Sequence, residues 1–320
     1  MPPTITVSII NFRTGPLTLQ CVRSVLADIG EAPVQIVVVD NDSGDGSAEE
    51  IADWIAGQPA GTPVTLVRSS TNAGFSGGHN IGMSTAPAEL YLLLNSDAVL
   101  RKGFFEALIA AQASHPKAGF FAPRIAYDDG TPQTSAFRFA SPGSEIIRGA
   151  NTGWVTKLLK RWEVALGPEP DPAAIEWASF ACIAILGEMV DQLGPMDEGY
   201  FLYFEDAEYC LRARREGWSI VWIPQAVAVH YRGGSGPVKA LARAKKQLPP
   251  YYYASRTRFL YQAYGRLGLW TANAAWYLGR FIAQFRRLFG KPVHPAAERE
   301  GCDIWINATT PLGPRRAPHE

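Results

Sequence analysis

Residues 91–100 read Tyr-Leu-Leu-Leu-Asn-Ser-Asp-Ala-Val-Leu. The apolar run Tyr91 to Leu94 predicts a buried strand that stops at Asn95-Ser96-Asp97. Burying an unpaired carboxylate is costly. Open α/β sheets bind their ligands beyond the carboxyl ends of strands. Asp97 is therefore expected to face a cation or a ligand.

Similar apolar runs lie on both sides. Ile5–Phe12, Gln35–Val39 and Val64–Val67 precede this one, and Gly119–Ala122 follows it. Helical patterns fall between them. Pro16 sits where a helix tolerates proline, ahead of Leu17, Leu19, Val22, Val25 and Leu26. Ser47 and Glu50 predict a capping box for a helix running through Trp54, and Gly103–Ala113 reads as another helix. This alternation predicts an α/β fold with a mostly parallel sheet and helices on both faces.

The pattern lapses from Asp128 to Pro172, interrupted by a basic helical stretch, Trp154–Trp162. Long insertions of this kind are usually functional loops or lids. Regularity resumes at Trp177. Asp206–Arg215 reads as a helix, and Trp218–Ile223 and Ala226–Val229 as strands broken at Pro224. Lys239–Phe289 is aromatic, basic and helix-like, and the residues after Pro292 read as a weakly ordered tail.

With 320 residues, 47% hydrophobic and 19% charged, the chain suits one large α/β domain plus an extension. Its 30 basic and 30 acidic residues cancel, so no nucleic-acid partner is expected. The charges are unevenly spread. Between Glu216 and Glu298 there are twelve Lys or Arg and no acid. That basic stretch, with Tyr251-Tyr252-Tyr253, Trp270, Trp276 and Arg286-Arg287, reads in two ways. It is either a peripheral contact to an anionic membrane through 239–291, or a helical pair packed on the sheet with a solvated basic face.

Cys21, Cys182, Cys210 and Cys302 show no C-x-x-C spacing, so neither a zinc site nor a disulfide framework is expected. The opening MPPTITVSIINF lacks the marks of a signal peptide. A cytoplasmic location is expected, with the inner face of the membrane as the place of any peripheral contact.

Several residues can carry chemistry. Asp40, at the tip of the second strand, suits hydrogen bonds from a base or ribose, or simply opens a turn. An EF-hand reading fails, because its sixth position is Asp45 and its twelfth is Ile51. The stretch Asn72-Ala73-Gly74-Phe75-Ser76-Gly77-Gly78-His79-Asn80 is either an anion cradle at a helix start or a flexible turn. It is not a dinucleotide fingerprint. Asp97 suits a hard divalent cation. His230, ending a later apolar run, would add an imidazole, which tilts the choice toward Mn²⁺ over Mg²⁺. Glu205-Asp206 opens a helix, where neighbours point in different directions, so at most one faces a site. That one reads as a general base for a hydroxyl, or as an acid held by the helix dipole.

Seven segments, in this order, carry a family resemblance: VSIINF (7–12), VVVDNDSGDGS (37–47), NAGFSGGHNIGM (72–83), LLLNSDAVL (92–100), PRI…DDG (123–130), GPMDEGYFLYFEDAEYCLRARREGW (194–218) and VHYRGGS (229–235). They resemble the inverting glycosyltransferases of family 2, which have the Rossmann-like GT-A fold, from about Thr6 to Ser235. The subgroup they look most like is the rhamnosyltransferase- and galactofuranosyltransferase-like one of bacterial surface polysaccharide synthesis.

The resemblance implies roles. Asp40 matches the acid that contacts the nucleotide base, with Asn41, Asp42, Asn72, Gly74, Phe75, Asn80, Asn95 and Ser96 on the donor side. Asp97 matches the metal ligand that ends a D-x-D-type motif, His230 a histidine that joins it, and Asp206 the catalytic base. Arg232 and Ser235 would touch the diphosphate. Trp177, Asp197 and Glu205 fall on the acceptor side. The implied donor is a nucleotide sugar, dTDP-rhamnose first and a UDP-sugar second, with Mn²⁺ or Mg²⁺. The implied acceptor is a glycan or lipid-linked glycan.

The expected domains are a GT-A domain over 1–236, with a nucleotide-sugar half at 1–127 and an acceptor half at 128–236. A basic aromatic helical extension at 237–291 and a tail at 292–320 follow. Three departures stand out: Asn95 where a full D-x-D has its first acid, Phe180-Ala181 and Leu186-Gly187 where Gly-Ala and Arg-Arg are common, and Gly194-Pro195-Met196 before Asp197-Glu198. Two rival readings are a sugar-phosphate nucleotidylyltransferase and a non-catalytic sugar-nucleotide-binding module.

Overall fold

A computed structural model of the chain describes residues 2–231 and 238–318. Among these described residues ten strands form: β1 Ile5–Asn11, β2 Val34–Asp40, β3 Val64–Arg68, β4 Leu90–Asn95, β5 Ala98–Leu100, β6 Phe120–Ala126, β7 Ala136–Phe137, β8 Trp177–Ala178, β9 Cys182–Leu186 and β10 Ile220–His230. Eight of them make one sheet in the order β3-β2-β1-β4-β9-β6-β10-β5, and β7 pairs with β8. The pairs β3/β2, β2/β1, β1/β4 and β6/β10 are parallel. β9 runs antiparallel between β4 and β6, and β5 runs antiparallel on β10. Strands buried on both faces are near-continuous apolar runs, and Leu90–Leu94 and Cys182–Leu186 are fully of that kind.

The helices are α1 Gly15–Leu26, α2 Ser47–Ala56, α3 Gly74–Thr85, α4 Phe104–Ser114, α5 Pro142–Ala150, α6 Gly153–Leu158, α7 Gly187–Leu193, α8 Glu205–Arg215, α9 Val238–Arg243, α10 Pro250–Arg287 and α11 Glu300–Asp303. β1 shows why they fall on both faces. Successive strand residues point to opposite sides. Ser8 and Ile10 meet α3 at Gly82 and Gly78, while Asn11 bonds Thr18 of α1.

Three sequence expectations change. Ser47 does not cap α2: the cap is Gly46, and the Ser47 hydroxyl and N–H both donate to Asp45. The capping box belongs to α5, between Ser141 and Ser144, ahead of Pro142 at the first helical position. Pro224 does not split its segment into two strands. β10 continues through it with a register shift between Ile223 and Val227, since a bulge accepts a residue without an N–H. The insertion 128–172 is largely ordered by α5, α6 and β7.

The C-terminal region is integral to the fold. α10 breaks at Gly265, whose φ is 71°. Its first half shares a core with α8 and the loop before it, through Tyr200, Ala207, Phe259 and Leu260. The segment expected as a loose tail is anchored: Ile304 is buried, and Arg315 donates to the carbonyls of Ala73 at 2.7 Å and Asn72 at 3.3 Å. Among the described residues no helix is long and apolar enough to cross a membrane.

Candidate active site

The parallel strands end together. Asn11 lies beside Asp40 in the β1/β2 register, and Ile10 beside Asn95 in the β1/β4 register. The buried Asn11 amide donates to Asp40 Oδ1 at 2.7 Å, to Ser43 and to Ser47, while its Oδ1 accepts from Thr14 and Thr18. Ser43 adds a hydroxyl bond to Asp40 at 2.6 Å. Asp40 is thus a fixed, donor-satisfied carboxylate at the sheet edge. Sequence reasoning passed over Asn11, although it ends an apolar strand just as Asp97 follows one.

The glycine-rich stretch is neither a free turn nor an open anion cradle. The N–H groups of Ala73, Gly74 and Phe75 are already given to Asn41 Oδ1, Asn72 Oδ1 and the Phe201 carbonyl. Asn41 also donates to Asn72 Oδ1 at 2.9 Å. Asn80 bonds Met196 and Glu198. So Asn41, Asn72 and Asn80 spend their amides on holding loops. Gly74 has φ 71°, and any Cβ there would strike the Phe201 carbonyl. His79 is fully buried, with Nδ1 2.8 Å from Ser8 Oγ, and burial lowers its pKa to about 3. Asp42 is exposed with a left-handed backbone. Phe75 packs edge-on against His79.

Next along the edge is the pair Asp97 and His230. The antiparallel register sets His230 against Ala98, next to Asp97, and Tyr231 N–H bonds the Asp97 carbonyl. Gln133 pins the His230 carbonyl at 2.9 Å. His230 Nε2 stands 3.1 Å from Asp97 Oδ1, close but without hydrogen-bond alignment. Neither Asp97 oxygen has a hydrogen-bond donor among the described residues, although Asp97 is only 1% exposed. Such an orphaned buried carboxylate calls for a counter-charge. Carboxylate plus imidazole fits a divalent cation, Mn²⁺ better than Mg²⁺. No cluster of three or more His, Cys, Asp or Glu of ligating arrangement occurs among the described residues, so the rest of the shell would come from ligand oxygens and water. Asn95 Nδ2 lies 3.4 Å from His230 Nε2, and Ser96 takes a bond from Thr14.

A short bridge joins this edge to α8. Asn95 N–H donates to the Ala181 carbonyl at 2.9 Å, and the backbone of the neighbouring Phe180 lies near enough to the Asp206 carboxylate to favour its anion. Ala207 N–H donates to Asp206 Oδ1 at 2.9 Å. Tyr203 and Phe204, just before α8, both take positive φ, a conformation that bulky residues adopt only when their surroundings enforce it. The enforcement is aromatic: Tyr203 stacks on Tyr251, and Phe204 packs on Tyr252 and Phe259.

The two acids then diverge. Glu205 turns into the protein, 5% exposed, with one oxygen unpartnered. Burial first, then the neighbouring Asp206 charge, raise its pKa well above the usual carboxylate value. Asp206 lines a cavity of about 430 Å³ with Trp177, Phe204, Tyr252, Arg148 and Arg256. Burial pushes its pKa up to about 7, against the N–H bonds that favour the anion. A carboxylate with that value, facing a cavity, is suited to take a proton near neutral pH.

Trp177 stacks on Phe137 at 4.3 Å and donates to the Arg138 carbonyl, forming one wall. Asp197 is not at the cavity but in an ion pair with Arg258. Arg232 and Ser235 lie outside the described residues. The buried Glu145–Arg256 pair in the wall, at 2.8 Å, had no sequence signal, because the two residues are far apart in the chain.

Acids at the strand tips, a carboxylate–imidazole pair and an acid facing a cavity lie along one edge of a GT-A fold. Solved structures agree on that fold. A mannosyltransferase from Pyrobaculum calidifontis in complex with GDP-Man and Mn²⁺ superposes with a TM-score of 0.56 and 15% identity, over 98% of this chain and 82% of that one. GalNAc-T7 with UDP, GalNAc and Mn²⁺ gives 0.57 and 15%, over 99% of this chain and 60% of that one. A family model described as "Glycosyl transferase family 2" matches residues 6–162. The N-acetylglucosaminyl-diphospho-decaprenol L-rhamnosyltransferase of Mycobacterium tuberculosis is 26% identical over 272 residues, 79% of this chain and 82% of the relative. The low-salt glycan biosynthesis hexosyltransferase Agl10 of Haloferax volcanii is 28% identical over 200 residues, 61% of this chain and 58% of the relative. Residues 6–162 thus match a family 2 glycosyltransferase domain, and over most of its length the chain is similar to a rhamnosyltransferase.

Proposed function

We propose that the protein moves a sugar from a nucleoside-diphosphate sugar to a hydroxyl of a glycan or lipid-linked glycan, with inversion at the anomeric carbon. The observation that carries this reading is Asp206, a carboxylate at the start of α8 that lines the cavity with its pKa raised to about 7.

Asp206 accepts the proton of the acceptor hydroxyl as that oxygen attacks the anomeric carbon. The bond to the diphosphate breaks on the opposite side. One base suffices, because no glycosyl-enzyme intermediate forms, unlike in retaining glycosidases. Trp177 and Phe204 give the acceptor sugar apolar surfaces to lie against and help keep water from the base. Asp40, fixed by Asn11 and Ser43, would receive the nucleotide. Asp97 and His230 would hold a divalent cation, Mn²⁺ or Mg²⁺, which supplies neutralisation of charge on a departing diphosphate.

dTDP-rhamnose is the first donor to test and a UDP-sugar the second. The similarity to a rhamnosyltransferase supports the first. That relative is a rhamnosyltransferase named for a diphospho-decaprenol acceptor, which supports a lipid-linked acceptor. The test is a panel of nucleotide sugars against purified protein, with Mn²⁺, Mg²⁺ or chelator, read by calorimetry and by donor hydrolysis. Metal-dependent binding of one donor is expected. No binding across the panel by folded protein would remove the donor reading.

A further inference from the structure

The second half of α10 is amphipathic the wrong way round for a protein in water. Its exposed face carries Leu267, Trp270, Leu278, Phe281 and Phe285, with Leu288 just past its end, and these are 45–78% exposed. Spacings of three, four and seven put them on one side of the helix. Phe281, Phe285 and Phe289 touch in sequence, with ring centroids 6.3 and 5.4 Å apart. The opposite side, with Leu269, Ala272, Trp276 and Ala283, is buried.

Charge lies at the ends of this stripe and not along it. Arg266 precedes it, Arg286 and Arg287 flank its last turn and Lys291 follows, while Arg280 turns away from the stripe to the Gly149 carbonyl. No acid occurs anywhere from residue 217 to 297. A second apolar outcrop lies close by. α5 crosses α10 at backbone contact, where a Cβ on Gly279 would stand 2.6 Å from Ala150 N and one on Gly149 would stand 3.2 Å from Arg280 N. α6 leaves from this crossing and exposes Trp154 and Leu158, with Lys157 between them.

We propose that this face, the second half of α10 with Trp154 and Leu158 of α6, seats the protein on the surface of an anionic lipid bilayer. The aromatic and leucine side chains enter the boundary between headgroups and acyl chains. Arg286, Arg287 and Lys291 pair with anionic headgroups. This is how amphipathic interfacial helices bind, and each basic residue near the surface adds attraction. No span is involved. The first half of α10 takes no part, because Tyr253, Phe259 and Leu260 are in the core. α5 is shared: Ser144, Glu145, Ile147 and Arg148 of the same helix line the cavity that holds Asp206. The proposal stands on the exposed stripe and its charges, and does not depend on the acceptor.

The experiment is co-sedimentation of the full chain with vesicles of phosphatidylcholine alone and of phosphatidylcholine with phosphatidylglycerol. Binding is expected only with the anionic lipid. Phe281→Ser with Phe285→Ser should abolish it. Arg286→Glu with Arg287→Glu should weaken it more than about tenfold. All four positions are away from the cavity, so circular dichroism and donor binding should stay as in the parent protein. Wild-type protein that remains in the supernatant with both vesicles overturns the proposal. So does a soluble dimer, seen by light scattering, that the Phe pair of substitutions dissolves while vesicle binding is absent. Equal binding to both vesicles overturns the headgroup pairing.

Discussion

Arg258 holds Asp197 with two bonds, Nε to Oδ2 at 2.9 Å and Nη2 to Oδ1 at 3.0 Å, across 61 residues of chain. Gln262 and the Gly199 N–H complete the carboxylate's partners. Burial raises the Asp197 pKa, but the bonds from Arg258, the Gly199 N–H and Gln262 together outweigh that and hold it below the usual value. The pair fastens the first half of α10 to the loop that leads into α8.

Arg258→Ala should therefore destabilise the fold, by about 2 kcal/mol for a bidentate pair that is still partly wet. Arg258→Lys should recover less than half of that, since lysine lacks the planar fork. Urea midpoints measure both. A Lys variant as stable as the parent would show that charge alone matters.

Asp206→Asn should lower kcat by about 10²–10⁴, the range for a lost general base, while calorimetry finds donor affinity close to that of the parent. In the parent, kcat should climb as pH rises through about 7, because only the ionised carboxylate can take the proton. A variant that keeps its turnover and loses donor affinity would place Asp206 on the donor instead.

The same raised pKa has a stability sign. An unfolded Asp ionises near pH 3.9, so between that pH and about 7 the unfolded chain loses a proton that the folded one keeps. The Asp206 contribution thus turns unfavourable over that window and is constant above it. Asp206→Asn should show a smaller fall in urea midpoint from pH 4 to pH 7.5 than the parent does. An identical fall in both proteins would count against the shift.

Asp97→Ala and His230→Ala should each weaken donor binding measured with Mn²⁺ and leave the weaker binding measured with chelator nearly unchanged. Direct Mn²⁺ binding, followed by electron paramagnetic resonance, should fall in both variants. Donor affinity that is indifferent to metal in the parent would remove the cation from the site.

Gly74→Ala should cost about 3 kcal/mol, from left-handed strain and a collision with the Phe201 carbonyl together. Gly61→Ala is the control. It also has positive φ, at 88°, but open space around it, so only the strain of about 1–2 kcal/mol should remain. Equal losses would deny the close approach of α3 to residue 201.

The strand tips were legible because an apolar run that ends in Asp or Asn has few structural explanations. Asp40 and Asp97 lie at the sheet edge for that reason. The division of labour between Glu205 and Asp206 was half legible: helix geometry separates them, but only the fold shows which one meets the cavity. Asn41, Asn72 and Asn80 have a loop-tying role that the sequence did not disclose, since polar residues beside glycines look alike whether they hold a loop or a ligand. β9 was invisible because Cys182–Leu186 is a short apolar run with no period. The order after Pro292 depends on distant partners, such as Arg315 with the Asn72 and Ala73 carbonyls, which no local pattern records.

The place of β9 has a consequence for how the protein is made. β1 to β4 lie side by side and are all present once Asn95 has been synthesised. The free edge of β4, with Leu90 to Leu94, finds its partner only when Cys182 to Leu186 emerge. At cellular elongation rates that interval lasts roughly 4–18 s. Throughout it a nascent chain displays an unpaired apolar strand, the kind of edge that templates aggregation. The growing polypeptide is most vulnerable between those two points, and that is where a chaperone is expected to hold it.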